Sequence, residues 1–192
     1  MEILSLALVL LLIAYFSGIE IAFISANKLL IELLKEKGQT RAKIVSEFNN
    51  NPSRFISTLL IGLNIALVLF GSMMARLLTP ERFSFLPHDE AYLMIIETFT
   101  TTALVLLLGE LIPKMLFRIN ADQMLLFFAY PTKYLVYMPL QPLSDLFHTL
   151  SRKTIKLIAG KDFHDNVQSF SQEDLEYLIK ESSANDVGED DE

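Results

Sequence analysis

The chain has no cysteine and no tryptophan, and each absence excludes a class of structure. Without cysteine it forms no disulfide and offers no thiolate to a metal ion. Without tryptophan, any aromatic belt at a membrane interface must come from tyrosine and phenylalanine. The sequence also lacks the Gly-x-x-x-x-Gly-Lys-Ser/Thr string of a phosphate-binding loop and shows no sign of nucleic-acid binding, so neither ATP hydrolysis nor a nucleic-acid partner is expected.

Charged residues are also nearly absent from three long apolar runs, at about residues 3–24, 55–78 and 92–112. Each run is close to the roughly 17–25 residues that cross a bilayer as a helix. A cleaved signal peptide is the alternative for the first run, but no basic segment precedes it and no clean cleavage site follows it. The sequence therefore predicts an all-α membrane protein with three transmembrane helices and additional juxtamembrane or re-entrant helices.

Basic residues mark one side of the predicted membrane. The loop at 26–54 carries six Lys or Arg residues, whereas the loop at 79–91 carries only Arg82. The positive-inside rule then places the first loop and the C-terminus in the cytoplasm and the N-terminus outside. We expect the inner or plasma membrane of a bacterium or archaeon. Leucines at helical spacing in residues 29–34 predict a short amphipathic helix on the membrane or on the protein.

The chain divides into a transmembrane domain, 1–145, a cytosolic acidic helical region, 146–182, and a disordered linker, 183–192. Within the first part, residues 124–143 are apolar but interrupted by three prolines. We favour a re-entrant or interfacial pair of helices there, and a fourth span stays open as the alternative. Ser171, which is followed by acidic residues, predicts the start of a helix. The chain ends without a terminal secondary-structure element, so we expect it to be a fragment of a longer protein.

A carboxylate and a proline stand close together at the inner end of the third run. Glu110 is costly at that depth unless it faces protein or water, and such residues are usually functional. Pro113 has no N–H for the carbonyl of Gly109, four residues earlier, so it is expected to break the helix and free that oxygen. A free carbonyl beside a carboxylate suits a hard cation such as Mg²⁺ or Ca²⁺.

Polar residues of the other two runs lie at a comparable depth in the predicted topology. Ser17, Asn64, Gly109 and Glu110 would then offer a hydroxyl, an amide oxygen, a carbonyl and a carboxylate to one dehydrated cation. Weaker candidates for the same site are Ser57, Gly62 and Glu20.

Structural roles compete with this interpretation for several candidates. Ser57 can hydrogen-bond its own helix, and Gly62 begins a small-x-x-x-small pattern typical of helix packing. Glu20 can pair with Lys28 or serve the outer vestibule. Glu110 can form an ion pair with Lys114, which follows it by four residues.

Three motifs in order resemble one family over roughly residues 1–180: Phe16-Ser17-Gly18-x-Glu20, Thr58-Leu59-Leu60-Ile61-Gly62 with Asn64, and Gly109-Glu110-x-Ile112-Pro113-Lys114. They are similar to the transmembrane domain of the cyclin M and CorC (CNNM/CorC) magnesium transporters. The resemblance implies a homodimer with three spans per subunit and cytosolic CBS domains that bind ATP–Mg²⁺, which these 192 residues do not contain.

The resemblance also implies an inward-open cavity that holds Mg²⁺ through the positions of Ser17, Asn64, Gly109 and Glu110. This chain departs from the family's common Gly-Asn-Asn in the second span, because Leu63 stands between Gly62 and Asn64. The departure implies that Asn64 carries the amide role or that ion choice and affinity differ.

The expected function is therefore Mg²⁺ transport, in the direction of efflux by alternating access, with Na⁺ as the candidate counter-ion. The alternative is a membrane anchor that senses Mg²⁺ and regulates another transporter without flux of its own. An enzyme is not expected. Ser17-Gly18 lacks the glycine of an intramembrane protease turn, since Tyr15 stands there, and no predicted span contains histidine.

Overall fold

The computed structural model describes residues 1–81 and 89–159. Within these ranges every regular element is helical, which confirms the predicted all-α class. The elements are α1 (Glu2–Ser25), α2 (Lys28–Glu36), α3 (Thr40–Asn49), α4 (Pro52–Leu77), α5 (Glu90–Leu104), a first π-helical segment (Val105–Leu111), α6 (Ile112–Ile119), α7 (Ala121–Phe127), α8 (Ala129–Pro131), a second π-helical segment (Thr132–Tyr137) and α9 (Met138–Ala159).

Three of these helices are long and apolar enough to cross a membrane: α1, α4 and the continuous helix Glu90–Ile119, called the third span below. The first two agree closely with the predicted runs. The third span extends past the predicted end at residue 112, because Pro113 stands in the first turn of α6, where a missing N–H is tolerated. The predicted helix start at Ser171 and the linker at 183–192 lie outside the described residues.

Residues 1–151 form one compact unit, and residues 152–159 belong to a second unit and are helical. In the first unit, α1 packs against both α4 and the third span. In their most apolar windows, 39% of the residues of α1 and of α4 are buried, but only 6% of those of the third span. The third span therefore touches the rest of the unit along a narrow face.

Helices α1 and α4 approach closely where Gly62 meets Phe16. A Cβ atom added at Gly62 would lie 2.5 Å from the Phe16 ring, and Phe16 is itself buried. Small residues allow such backbone approach in membrane helices, where packing replaces the hydrophobic effect as the source of association. The packing role considered for Gly62 is thus the one that the structure shows.

The third span meets α1 at two levels. A Cβ at Gly109 would lie 2.9 Å from Ile13, and a Cβ at Gly18 would lie 2.7 Å from Phe117. Since residue numbers rise together on both helices, α1 and the third span run parallel. Residues 14–17 of α1 are therefore level with the stretch that follows Gly109.

The stretch at 124–143 is built from several short helical segments and the start of α9. None of the described helices in it is long and apolar enough to be a span. The hydroxyl of Tyr15 lies 2.7 Å from Oγ1 of Thr132 and ties the second π-helical segment to α1. This bond holds the stretch against α1 as shorter helical segments.

Helices α2 and α3 are joined by a hydrogen-bonded group of three side chains. Lys35 Nζ donates to Glu32 Oε2 at 2.8 Å and to Ser46 Oγ at 2.9 Å, and Ser46 Oγ donates to Glu32 Oε1 at 2.6 Å. These donors hold the pKa of the Glu32 carboxyl below its ordinary value of 4.5. The predicted helix at residues 29–34 is α2, which begins with Asn27 Oδ1 accepting from the Leu30 N–H.

Acidification should loosen this junction. A carboxyl whose pKa is lower in the folded state stabilises the fold above its unfolded pKa and loses that effect as pH falls through the folded pKa. We therefore expect the melting temperature to fall below about pH 4.5, and to fall less in Glu32→Gln, which should already melt lower at pH 7. Glu36→Gln, an exposed change on the same helix, is the control and should follow the wild type. Identical acid profiles for Glu32→Gln and wild type would contradict the assignment.

The two glycines of α4 should respond oppositely to alanine. Gly62→Ala forces a methyl group into the Phe16 ring, and overpacking of this kind costs about 1–3 kcal/mol. Gly71→Ala meets no atom within 4 Å and should keep or raise stability, because alanine favours helix. Thermal unfolding in detergent measures both variants. Equal melting temperatures would show that α1 and α4 do not pack as described.

Candidate functional site

Ser17 lies inside the contact between α1 and its neighbours. Its side chain is fully buried, and its Oγ has no hydrogen-bond partner among the residues that the structure describes. A buried hydroxyl without a partner costs about 1–3 kcal/mol, so such groups are rare. Ser17 also lies level with the Gly109–Pro113 stretch of the third span. Ser17 therefore places an unsatisfied oxygen at that level, between α1 and its neighbours.

Three charged side chains form what we call the ionic centre: Glu20 of α1 with Glu110 and Lys114 of the third span. Lys114 Nζ lies 3.6 Å from Glu110 Oε2 and 3.9 Å from Glu20 Oε2. The side chains of Glu20 and Glu110 are 17% and 28% exposed, so both carboxylates are largely withdrawn from solvent.

Sequence reasoning found part of this centre. The ion pair of Glu110 with Lys114 was one of its two interpretations and is present in the structure. For Glu20 the sequence allows two roles, an ion pair with Lys28 or a place in the outer vestibule. The structure pairs Glu20 with Lys114 instead. The contact joins two helices that are far apart in sequence, so only the parallel packing of α1 and the third span reveals it.

Gly109 and Glu110 belong to the π-helical segment Val105–Leu111. The N–H of Ile112 donates to the carbonyl of Leu107, five residues earlier, instead of four. The third span is therefore continuous through Pro113: its hydrogen-bond register changes in the segment before the proline, and α6 follows without a gap. π-Helical segments are rare and frequently occur at functional sites.

Asn64 and Ser57 lie elsewhere on α4. The Asn64 side chain is exposed, and its Nδ2 donates to the Leu60 carbonyl at 2.8 Å. Both residues line a groove of about 500 Å³ together with Leu143 and Phe147, and no residue of α1 or the third span lines it. The structure therefore does not bring Asn64 to Glu110.

The neighbouring residue explains why Asn64 faces outward. Leu63 is buried, with 7% of its surface exposed, and occupies the inward face of α4. An amide at position 63 would point into the protein. In this chain the inward position is apolar and the amide stands one residue further, about 100° around the helix.

Arg54 at the start of α4 is a structural anchor that the sequence analysis counted only as a loop charge. Its guanidinium forms an ion pair with Asp145 of α9. Its carbonyl accepts hydrogen bonds from Thr58 Oγ1 at 2.8 Å and from Ser144 Oγ at 3.5 Å. No sequence motif identified these partners, since Asp145 lies 91 residues away.

The described residues include no group of three or more His, Cys, Asp or Glu side chains that could hold a metal ion. The ionic centre offers two carboxylates, and Ser17 offers a hydroxyl nearby. Such all-oxygen groups suit Mg²⁺ or Ca²⁺ better than softer ions. The Lys114 ammonium supplies the positive charge between the carboxylates in this conformation.

These features define a polytopic helical membrane domain with an ionisable centre between its first and third spans. The chain belongs to the cyclin M family, because the model of the cyclin M transmembrane N-terminal domain matches residues 3–192. This match confirms the resemblance that the three motifs indicated.

Individual relatives agree with the family assignment. The chain is 28% identical over 176 residues to the UPF0053 inner membrane protein YfjD of Escherichia coli, an alignment that covers 88% of this chain and 38% of YfjD. It is 26% identical over 179 residues to a UPF0053 protein of Haemophilus influenzae, covering 92% of this chain and 40% of that protein. The chain thus spans about two fifths of the length of these relatives.

Removing the hydroxyl of Ser17 should not weaken the fold in metal-free buffer. Ser17→Ala loses no hydrogen bond and should leave the melting temperature unchanged or raise it. Thr58→Val is the matched control, because Thr58 is equally buried but donates to the Arg54 carbonyl, and it should cost about 0.5–1.5 kcal/mol. Equal destabilisation in the two variants would mean that Ser17 has a partner within the protein.

Proposed function

We propose that this chain is the membrane domain of a divalent-cation transporter that carries Mg²⁺. The observation that carries the proposal is the ionic centre, in which Glu20 and Glu110 share one ammonium beside the unpartnered Ser17 hydroxyl. Intramembrane carboxylates are costly and mark ion pathways. Family membership supports the same conclusion through the motifs that contain these residues.

In this proposal Lys114 acts as a tethered substitute for the transported ion. When Mg²⁺ enters, Glu110 becomes its charged ligand, the Gly109 carbonyl and Ser17 hydroxyl add oxygen ligands, and the ammonium moves towards Glu20. The two carboxylates are then never left without a positive charge, which avoids the penalty of an unpaired charge in low dielectric.

Asn64 joins the site only in another conformation. It faces a separate groove in the structure, so its participation requires α4 to move relative to α1. Such a movement is the alternating access that the proposal invokes. The Gly62–Phe16 contact lies where the two helices would have to slide or turn.

The remaining parts of the proposal concern direction and partners. The basic loop at 26–54 supports a cytoplasmic position for that loop, and we propose efflux with Na⁺ as counter-ion. We propose a homodimer, for which the sparsely buried third span offers free surface. CBS domains that bind ATP–Mg²⁺ would belong to the part of longer relatives that this chain does not span.

Flux measurements test the transport role. Purified protein in liposomes that contain a Mg²⁺-sensitive dye should show Mg²⁺ flux, and Glu110→Gln should reduce it at least ten-fold. Glu97→Gln, which alters a carboxylate on the same helix outside the ionic centre, is the control and should retain flux. Mg²⁺ binding without flux in the wild type would reject transport in favour of the sensing anchor. Flux that survives Glu110→Gln would remove that residue from the path.

A gain of function tests the role of the inward face of α4. Leu63→Asn returns an amide to a buried position, and we expect it to strengthen the Mg²⁺-dependent rise in melting temperature. Each variant is compared with its own metal-free melting temperature, because a buried amide without a ligand lowers stability. Leu63→Ala is the control for lost apolar volume. An unchanged or smaller Mg²⁺ response in Leu63→Asn would place the ion away from α4.

A further inference from the structure

An apolar groove of about 660 Å³ lies where the third span is followed by α7. Its walls include the aromatic rings of Phe117, Phe127 and Phe128 and two aliphatic side chains of α7. Phe117 and Phe128 stack with ring centroids 5.6 Å apart, and Phe127 meets Phe128 edge to face at 4.9 Å. The rings form a continuous apolar wall, yet Phe127 remains 63% exposed.

The polar lining of the groove is limited to Arg41 and Gln123. Arg41 is exposed and makes no ion pair with any residue in the described ranges. Two other basic groups of this region are paired: Lys35 is held by Glu32, and Lys133 by Glu47 at 2.5 Å. An unpaired guanidinium beside an apolar groove is complementary to a ligand with an acidic head and an apolar tail.

The location of the groove identifies the source of such a ligand. Phe117 lies near the end of the third span, and Arg41 belongs to α3 in the basic loop that follows α1. The groove therefore opens at the level where a membrane-spanning helix leaves the bilayer, among phospholipid headgroups. At that level an anionic phospholipid is the abundant molecule with the required chemistry.

We propose that this groove is a binding site for one anionic phospholipid, with an acyl chain along the aromatic wall and the phosphate on Arg41. The site is separate from the ionic centre and does not depend on which ion, if any, is transported. It would attach α3 and α7 to the membrane surface and so hold the basic loop against the inner end of the third span.

Native mass spectrometry of the chain in mixed micelles tests the site, with phosphatidylglycerol and phosphatidylcholine as probes. We expect the wild type to retain one phosphatidylglycerol in preference to phosphatidylcholine. Arg41→Gln should weaken phosphatidylglycerol retention about five-fold, the factor expected for one basic side chain at a lipid surface. Phe127→Ala, which shortens an exposed wall residue, should weaken retention of phosphatidylglycerol as well.

Lys43→Gln is the matched control, because Lys43 is an exposed basic residue on the same helix that does not line the groove. Equal losses in Arg41→Gln and Lys43→Gln would reduce the effect to general surface charge and overturn the site. Equal retention of the two lipids by the wild type would also overturn it. Because the chain has no cysteine, Gln123→Cys provides a single thiol, and its cross-linking between two copies in a lipid bilayer would show that a second copy covers the groove instead.

Discussion

The close packing of α1 between α4 and the third span is the constraint on which the rest of the unit depends. Apolar helices in lipid have no hydrophobic driving force for association, so their contact depends on backbones that approach each other closely. Glycines provide that approach on both sides of α1, at Gly62 for α4 and at Gly18 and Gly109 for the third span. A side chain at any of these positions would separate the helices.

The chemistry of the site follows from that packing. Parallel alignment of α1 with the third span places Glu20 within reach of Lys114, which Glu110 already holds one turn away. The same alignment buries Ser17 without a hydrogen-bond partner in the described part of the chain. A shared ammonium and an unsatisfied hydroxyl between two helices are costly arrangements, and the proposed transport of a cation gives a role to both.

Much of the fold could be predicted from the sequence, because apolar run length and scarcity of charge report directly on spanning helices. The three spans were predicted in this way, and leucines at helical spacing in residues 29–34 predicted α2. The direction in which the Asn64 side chain faces could not be predicted from the sequence. Equal depth in the membrane was inferred from residue position, but which way a side chain faces depends on helix rotation, and buried Leu63 sets the rotation of α4. The partner of Glu20 and the anchor formed by Arg54 were missed for a related reason, since both are contacts between residues distant in sequence.

Helix α5, the first part of the third span, has a consequence for evolutionary divergence. α5 contains no buried residue, and Leu104 at its end is its one apolar side chain that packs against the core, so exchanges at its other apolar positions leave the core contacts intact. The residues of α5 should vary freely among relatives, whereas those of α1 should change slowly. A position of α5 that varies little among relatives would indicate a contact with another molecule. A comparison of many relatives would then locate that contact on the helix.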